Sequence, residues 1–377
     1  MLLDAIDTRP RRILMSADAM GGVWTYSLQL AQGLSRLGIE VHLAVLGPAP
    51  SPSQRHEARR IRRLEVIVPG LPLDWTADSE TALAEVPAAL KSLALGTRAD
   101  LVHLNAPAHA GIAPWPLPLV VAAHSCVATW WRSLNEVPLP QDLAWRARRT
   151  GAGLKAADAI VAPSQSFARA LAGAYGAGLP VITVPNGRQR KDGASRQQKR
   201  HVLTAGRLWD PAKNVGTIDE AARISGALVH AAGPTCGPNG EQVCFPHLAM
   251  LGALSDTELA RWHDSAAVFV SASRYEPFGL AVLEAAQAGA ALVLSDIETF
   301  RELWDGAALL LPAGEPGAFA EALQRLSADG PLRRQLAHRA QARARHWSAE
   351  RMLAATLSVY ARVLKAHAGH EPPRSAA

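Results

Sequence analysis

The sequence predicts an α/β protein of two doubly wound, Rossmann-like domains with parallel sheets, facing one another across an interdomain cleft. Three observations carry that expectation. Short β-branched and aliphatic runs alternate with longer stretches of helical spacing, a polar basic segment interrupts the series, and the series then begins again. Such alternation puts helices on both faces of a parallel sheet, and 377 residues suffice for two domains with a sizeable core.

Taken in order, RRILMSA (11–17) reads as the first strand, followed by a Gly-Gly turn. TYSLQLAQGLSRLG (25–38) has helical spacing and ends at Gly38, a residue suited to the position just past a helix. EVHLAVLG (40–47), DLVHLNA (100–106), PLVVAAHS (118–125), DAIVAPS (158–164) and PVITVPNG (180–187) continue the first sheet. The stretch GRQRKDGASRQQKR (187–200) reads as a linker. The second sheet is expected from HVLTAGR (201–207), ALVHAAG (227–233), LAMLGAL (248–254), AAVFVSAS (266–273), ALVLSD (291–296) and AALLLPA (307–313). SAERMLAATLSVYARVLKAH (348–367) is a last amphipathic helix, with a tail behind it that reads as disordered. The expected division is therefore 1–190, 200–347 and a terminal helix at 348–367. Ligands bind open parallel sheets at the carboxyl ends of their strands, so two facing sheets place the site between domains.

Composition narrows the class. No apolar run reaches the roughly 18 residues that span a membrane, and MLLDAIDTRPRR makes a poor signal peptide, so a cytoplasmic address is expected. Cys126, Cys236 and Cys244 have no framework spacing, which fits a reducing compartment. Cys236, Cys244 and His247 lack the fourth ligand and tight pair spacing of structural zinc, and no metal site is expected. Residues 1–200 hold 23 Lys and Arg against 15 Asp and Glu, which suits an acidic partner: a phosphate-bearing substrate, anionic lipid or nucleic acid. Nucleic acid is the weakest of these, for no zinc finger, helix-turn-helix or RNA-binding aromatic motif is present. RHEARRIRRLE (55–65) places Arg55, Arg59, Arg62 and Arg63 near one helical face, as peripheral contact with the inner membrane face would need. A solvated face explains the same arginines.

The chemistry-bearing residues fall in a few segments. In SRYEPFGLAVLEAAQAG (273–289), Pro277 suits the first position of a helix and Gly289 its end. Phe278, Gly279 and Leu280 would then present free backbone N–H groups to an anion such as a diphosphate. Glu276 would sit at the mouth, and Glu284 two turns in, about 10 Å along the axis, in reach of a pair of sugar hydroxyls. The plain alternative is a helix-entrance acid plus a solvated glutamate. In AGRLWDPAKN (205–214), Arg207 and Lys213 offer a fork and a point charge for a diphosphate. Gly21 and Gly22, between first strand and first helix, permit close backbone approach to a ligand. They form no G-x-G-x-x-G fingerprint, and no P-loop motif occurs. His124 closes a strand at the ligand edge and would donate to a sugar hydroxyl or steady a leaving group, or serve the core. Trp130 and Trp131 could stack on an acceptor sugar or pack in the core.

Together, AMGGVWTY, AAHS, VPNG, AGRLWDPAKN and residues 251–303 resemble glycosyltransferase family 4, in family order across nearly the whole chain. The resemblance implies the GT-B architecture and a retaining transferase that moves a hexose from a UDP- or GDP-sugar to a glycan or lipid-linked acceptor. It implies Arg207 and Lys213 on the diphosphate, Glu276 on the donor sugar and Glu284 on the ribose. Gly22 and His124 would face the transferred sugar, with Phe278, Gly279 and Leu280 at the phosphate. It further implies no cofactor and no D-x-D-bound metal, and the sequence contains no D-x-D. The last helix would cross back onto the first domain. Two departures stand out: a basic linker without the usual acid after Asn186-Gly187, and the loop CGPNGEQVCFPHL (236–248), both expected away from the diphosphate site. A GT-B epimerase and a non-catalytic sugar-nucleotide-binding partner subunit are the other readings.

Overall fold

The computed structural model describes residues 9–189 and 201–369. The end of the basic linker, the first eight residues and the tail from residue 370 lie outside the described residues, so the expectations placed there go untested.

Seven strands form the first sheet: β1 (Arg12–Asp18), β2 (Glu40–Leu46), β3 (Leu64–Ile67), β4 (Leu101–Leu104), β5 (Leu119–Ala122), β6 (Ala159–Ala162) and β7 (Val181–Thr183). Their spatial order is β3-β2-β1-β4-β5-β6-β7, with every pairing parallel. Six more form the second: β8 (His201–Ala205), β9 (Val229–Ala232), β10 (Ala249–Gly252), β11 (Ala266–Ser271), β12 (Ala291–Ser295) and β13 (Ala308–Leu311). Their order is β10-β9-β8-β11-β12-β13, again all parallel. Central strands such as β5 (LVVA) and β6 (AIVA) are buried throughout, as helices on both faces require. In each sheet the order reverses once, between β1 and β4 and between β8 and β11. Those two switch points open a crevice at the strands' carboxyl ends.

Three expectations need correction. Leu64–Ile67 is an edge strand, so the basic stretch before it is not one helix. A helix runs Pro52–Arg59, closed at its start by a Ser51–Gln54 capping box, and Arg62 and Arg63 lie in the turn beyond. The Arg63 carbonyl accepts from Val41 N–H (2.8 Å), which commits that turn to the sheet. Arg62 and Arg63 therefore do not share a helical face with Arg55 and Arg59. Second, the donor-side helix runs Leu280–Ala288 and does not begin at Pro277. Gly279 stands before it with φ 92°, a left-handed conformation that only glycine adopts without strain. Third, Glu284 thus lies about one turn into the helix, not two.

The final helix, Ala349–Ala368, begins at Ser348, whose hydroxyl accepts from Arg351 N–H. Its buried residues Met352, Thr356, Val359 and Val363 recur at helical spacing and, with Tyr360, face the first domain. Met352, Val359, Tyr360 and Val363 join Ile13, Met15, Leu30 and Leu34 in one apolar core. A Cβ at Gly33 would lie 2.8 Å from Leu353 Cδ2, so glycine is what lets the first helix (Gly22–Arg36) and the last approach so closely.

Candidate active site: the interdomain cleft

A cleft of about 480 Å³ separates the two switch points. Gly21, Gly22 and His124 line it from the first domain, and Arg207, Lys213, Glu276, Phe278, Gly279, Leu280 and Glu284 from the second.

The second domain supplies the charge. Arg207 and Lys213 follow β8, and Glu276 follows β11, the neighbours at that sheet's switch point. Arg207 is held by Asp210 (2.9 Å) and packs beside the rings of Trp209 and Trp75, 5.6 and 6.0 Å from its guanidinium carbon. Asp210 also accepts from Ala212 N–H, which fixes the loop that presents Lys213. Lys213 Nζ meets Glu276 Oε2 at 2.5 Å, both side chains largely buried. The helix Leu280–Ala288 starts after a glycine and has no side-chain cap, and its first-turn residues Leu280, Ala281 and Val282 line the cleft, where helix-start N–H groups suit an anion. Phe278 contributes backbone only, for its ring is buried beside Trp347 at 6.3 Å.

Glu284 is not open, as the sequence had suggested. Arg188 Nε contacts its Oε1 at 2.7 Å, and the other end of that guanidinium lies 3.4 Å from Asp256. Burial pulls the arginine's pKa down, but Glu284 and Asp256 more than offset it and hold the guanidinium charged. Arg188 and Gln189 both line the cleft, so the basic linker does reach the site. The missing acid after Asn186-Gly187 was the sequence signal for this. The other departure, the loop 236–248, stays off the cavity lining but reaches Trp209, since a Cβ at Gly237 would lie 2.9 Å from it.

The first domain supplies uncharged groups. Gly21 and Gly22 open the first helix, again without a side-chain cap, and a Cβ at Gly22 would lie 3.4 Å from Leu280 Cδ1 across the cleft. His124 Nε2 is 2.8 Å from Asn105 Oδ1, and the ring stands edge-on to Tyr26 with centroids 4.5 Å apart. Burial first, and the neighbouring His103 second, lower its pKa to about 3, so it is neutral at pH 7. Asp18, at the end of β1, has its pKa raised by burial, against the pull of Met20 N–H and Arg207.

Trp130 and Trp131 are not brought into the cleft. Trp130 Nε1 donates to Asp210 Oδ1 at 3.3 Å, which makes it a strut between domains, and Trp131 Nε1 donates to the Val137 carbonyl at 2.9 Å. Neither indole, carried on the helix Val127–Leu134, belongs to the cavity lining, although Trp130's partner Asp210 does. Sequence reasoning also missed the clamp around Glu276. Tyr275 reaches into the first domain, where its hydroxyl is 2.8 Å from Thr129 Oγ1, and Ser164 Oγ donates to the Pro277 carbonyl at 2.7 Å. Glu302 accepts from Gln165 and Ser166 N–H (2.8 and 2.7 Å), so one domain caps a helix of the other.

Residues 20–189 match Glycosyltransferase Family 4, and residues 199–329 match Glycosyl transferases group 1. Each half of the chain thus matches a glycosyltransferase model, and the chain is a glycosyltransferase of the family 4 type. A curated relative, the D-inositol 3-phosphate glycosyltransferase of Streptomyces bingchenggensis (strain BCW-1), is 26% identical over an alignment covering 97% of this chain and 92% of its own. Among solved structures, sucrose-phosphate synthase from Thermosynechococcus elongatus superposes with a TM-score of 0.78 at 18% identity, covering 94% of this chain and 100% of that one. Anabaena Alr3699/HepE, solved in complex with UDP and glucose, gives 0.67 at 15% identity over 96% and 100%. WaaG, a glycosyltransferase involved in lipopolysaccharide biosynthesis, gives 0.67 at 16% over 94% and 99%. The fold of this glycosyltransferase is GT-B: two parallel-sheet α/β domains with the cleft between them. Among the described residues, no helix is long and apolar enough to cross a membrane.

Proposed function

We propose that the chain is a retaining glycosyltransferase that moves a hexose from a UDP- or GDP-sugar to a glycan or lipid-linked acceptor without a resident metal. One observation carries the reading. An uncapped helix start, Arg207 and Lys213 converge on one cleft, with Glu276 and Glu284 beside them. That is positive charge for a pyrophosphate, with a carboxylate for the hydroxyls at each of its ends.

In this reading the bond between the anomeric carbon and the diphosphate oxygen breaks, and its electron pair leaves with the phosphate. Arg207, Lys213 and the helix N-terminus stabilise that developing charge, which is the work a metal does elsewhere. The acceptor hydroxyl attacks the oxocarbenium-like carbon from the face just vacated, and its proton passes to the departing phosphate oxygen. The Lys213 contact favours this same-face course over covalent catalysis by Glu276. A carboxylate already sharing its charge with an ammonium is a poorer nucleophile and a better orienting group for sugar hydroxyls.

Calorimetric titration with a panel of UDP- and GDP-sugars, with and without Mg²⁺, tests the proposal. Binding of one donor, unaffected by Mg²⁺ and lost in Glu284→Ala, is the expected result. Binding only with metal rejects the metal-independent course, and no binding at all rejects the proposal and moves the non-catalytic subunit to the front.

A further inference from the structure

His124 is the end of a hydrogen-bond chain that starts on the last helix. The Asn105 amide sets its direction. Its Nδ2 donates to the Ser16 carbonyl (2.6 Å), which can only accept, and to Ser27 Oγ at 3.1 Å. Oδ1 is therefore the acceptor face, and two imidazole nitrogens point at it: His124 Nε2 at 2.8 Å and His103 Nε2 at 3.2 Å. Both must carry a hydrogen. Asn105, His103 and Ser16 are fully or nearly fully buried, so water does not compete for these bonds. His103 Nδ1 then holds a lone pair, and it meets the Tyr360 hydroxyl at 2.7 Å. Tyr360 is the donor, because burial drives its own deprotonation far above the usual range.

We propose that Asn105 is a positioning residue that fixes His124 as the Nε2–H tautomer, so that Nδ1 meets the cleft as a hydrogen-bond acceptor. His103 and Tyr360 complete the arrangement and tie it to the terminal helix. The sequence had assigned His124 a donating role. The amide reverses it: the hydroxyl of a bound sugar donates and the imidazole accepts. The last step rests on the proposed donor site, whereas the tautomer does not.

Two measurements separate the parts. A nitrogen-15 NMR spectrum of the full-length protein without donor, with His124 assigned by its loss in His124→Gln, reads the tautomer directly. Nε2–H with a bare Nδ1 at pH 7 is expected, and its loss in Asn105→Ala is expected as well. An Nδ1–H tautomer, or an imidazolium at pH 7, overturns the proposal whatever the enzyme transfers.

The second measurement is the pH profile. Asn105→Asp puts a carboxylate where the amide oxygen stood. Among the described residues, the titratable groups packed against His124 are His103 and Tyr26, with Tyr360 behind His103, and the charged groups that share its cleft, Arg207, Asp210, Lys213 and Glu276, are already paired with one another. The new charge raises the imidazole pKa, so kcat of Asn105→Asp falls as pH drops through that value and recovers above it. Asn105→Ala loses about 10- to 100-fold in kcat at every pH, with KM changed far less. A merely structural role gives the same pH-independent loss in both variants, and that result also overturns the proposal. Where Asn105→Asp does not fold, the wild-type spectrum still decides. A correct tautomer in a protein that binds none of the UDP- or GDP-sugars leaves this proposal standing and removes the proposed function.

Discussion

The two halves of the cleft are built on opposite principles. The second domain presents formal charges, Arg207, Lys213, Glu276 and Glu284, already paired with one another or with Asp210 and Arg188. The first presents neutral groups, Gly21, Gly22 and His124, whose orientation is set by a buried network. Charges tolerate small displacements, because Coulomb interactions fall slowly with distance, so they suit a leaving group that changes charge. A neutral hydrogen bond is short and directional, so it suits recognition of a sugar that does not. The first half therefore depends on packing, and the second on ion pairs.

That contrast can be broken from either side. The largest effect is expected on removing residues 348–377. The deletion removes the buried Met352, Val359, Tyr360 and Val363, each worth about 1.5–3 kcal/mol of burial, exposes their core partners Ile13, Met15, Leu30 and Leu34, and takes the Tyr360 hydroxyl from His103. Calorimetry should show a much lower melting transition for the first domain; an unchanged one means the helix is dispensable. Next come Lys213→Ala and Glu276→Gln, each expected to lower kcat about 10²- to 10³-fold with little change in melting temperature. The double variant should lose less than the product of the two, since the side chains are in contact; full additivity means they act independently.

Acid should strike the first half selectively. His103 and His124 are held neutral, with pKa values lowered to about 4 and about 3, below the ordinary 6.5. The unfolded chain thus binds more protons between those values and 6.5. Stability from this source is complete above pH 6.5 and declines as pH falls toward 4. The melting temperature should drop over that window, and less steeply in His124→Asn; parallel slopes remove the histidine from the explanation. Gly279→Ala should cost about 1–2 kcal/mol, because alanine at φ 92° is strained and its Cβ would lie 3.2 Å from Phe300. Smallest is Arg188→Ala. Freeing Glu284 Oε1 should tighten nucleotide binding by about threefold, within the worth of a partly screened ion pair. Weaker binding would mean that Arg188 orients Glu284 and does not compete with ribose.

Most of the site's membership was legible because strand ends, a glycine after a strand and an acid before a helix are local patterns. Its internal state was not. Glu284 reads as free in sequence because nothing local pairs it; its partner Arg188 comes from the interdomain linker. Trp130 and Trp131 read as either stacking platforms or core residues because the direction of an indole depends on helix docking, and docking turned Trp130 toward Asp210. Pro277 promised a helix start on propensity, but the left-handed Gly279 and the clamp on the Pro277 carbonyl hold that segment out of the helix.

The sequence by itself determined two parallel α/β domains and the residues that edge their strands, because hydrophobic periodicity and turn chemistry act over a few positions. The tertiary structure decided which strand ends meet. The switch points between β1 and β4 and between β8 and β11 follow from strand order, which no local pattern encodes. It also decided the protonation of His124, since that rests on the burial of His103 and Asn105, neighbours at the end of β4, and of Tyr360, brought to them from the far end of the chain.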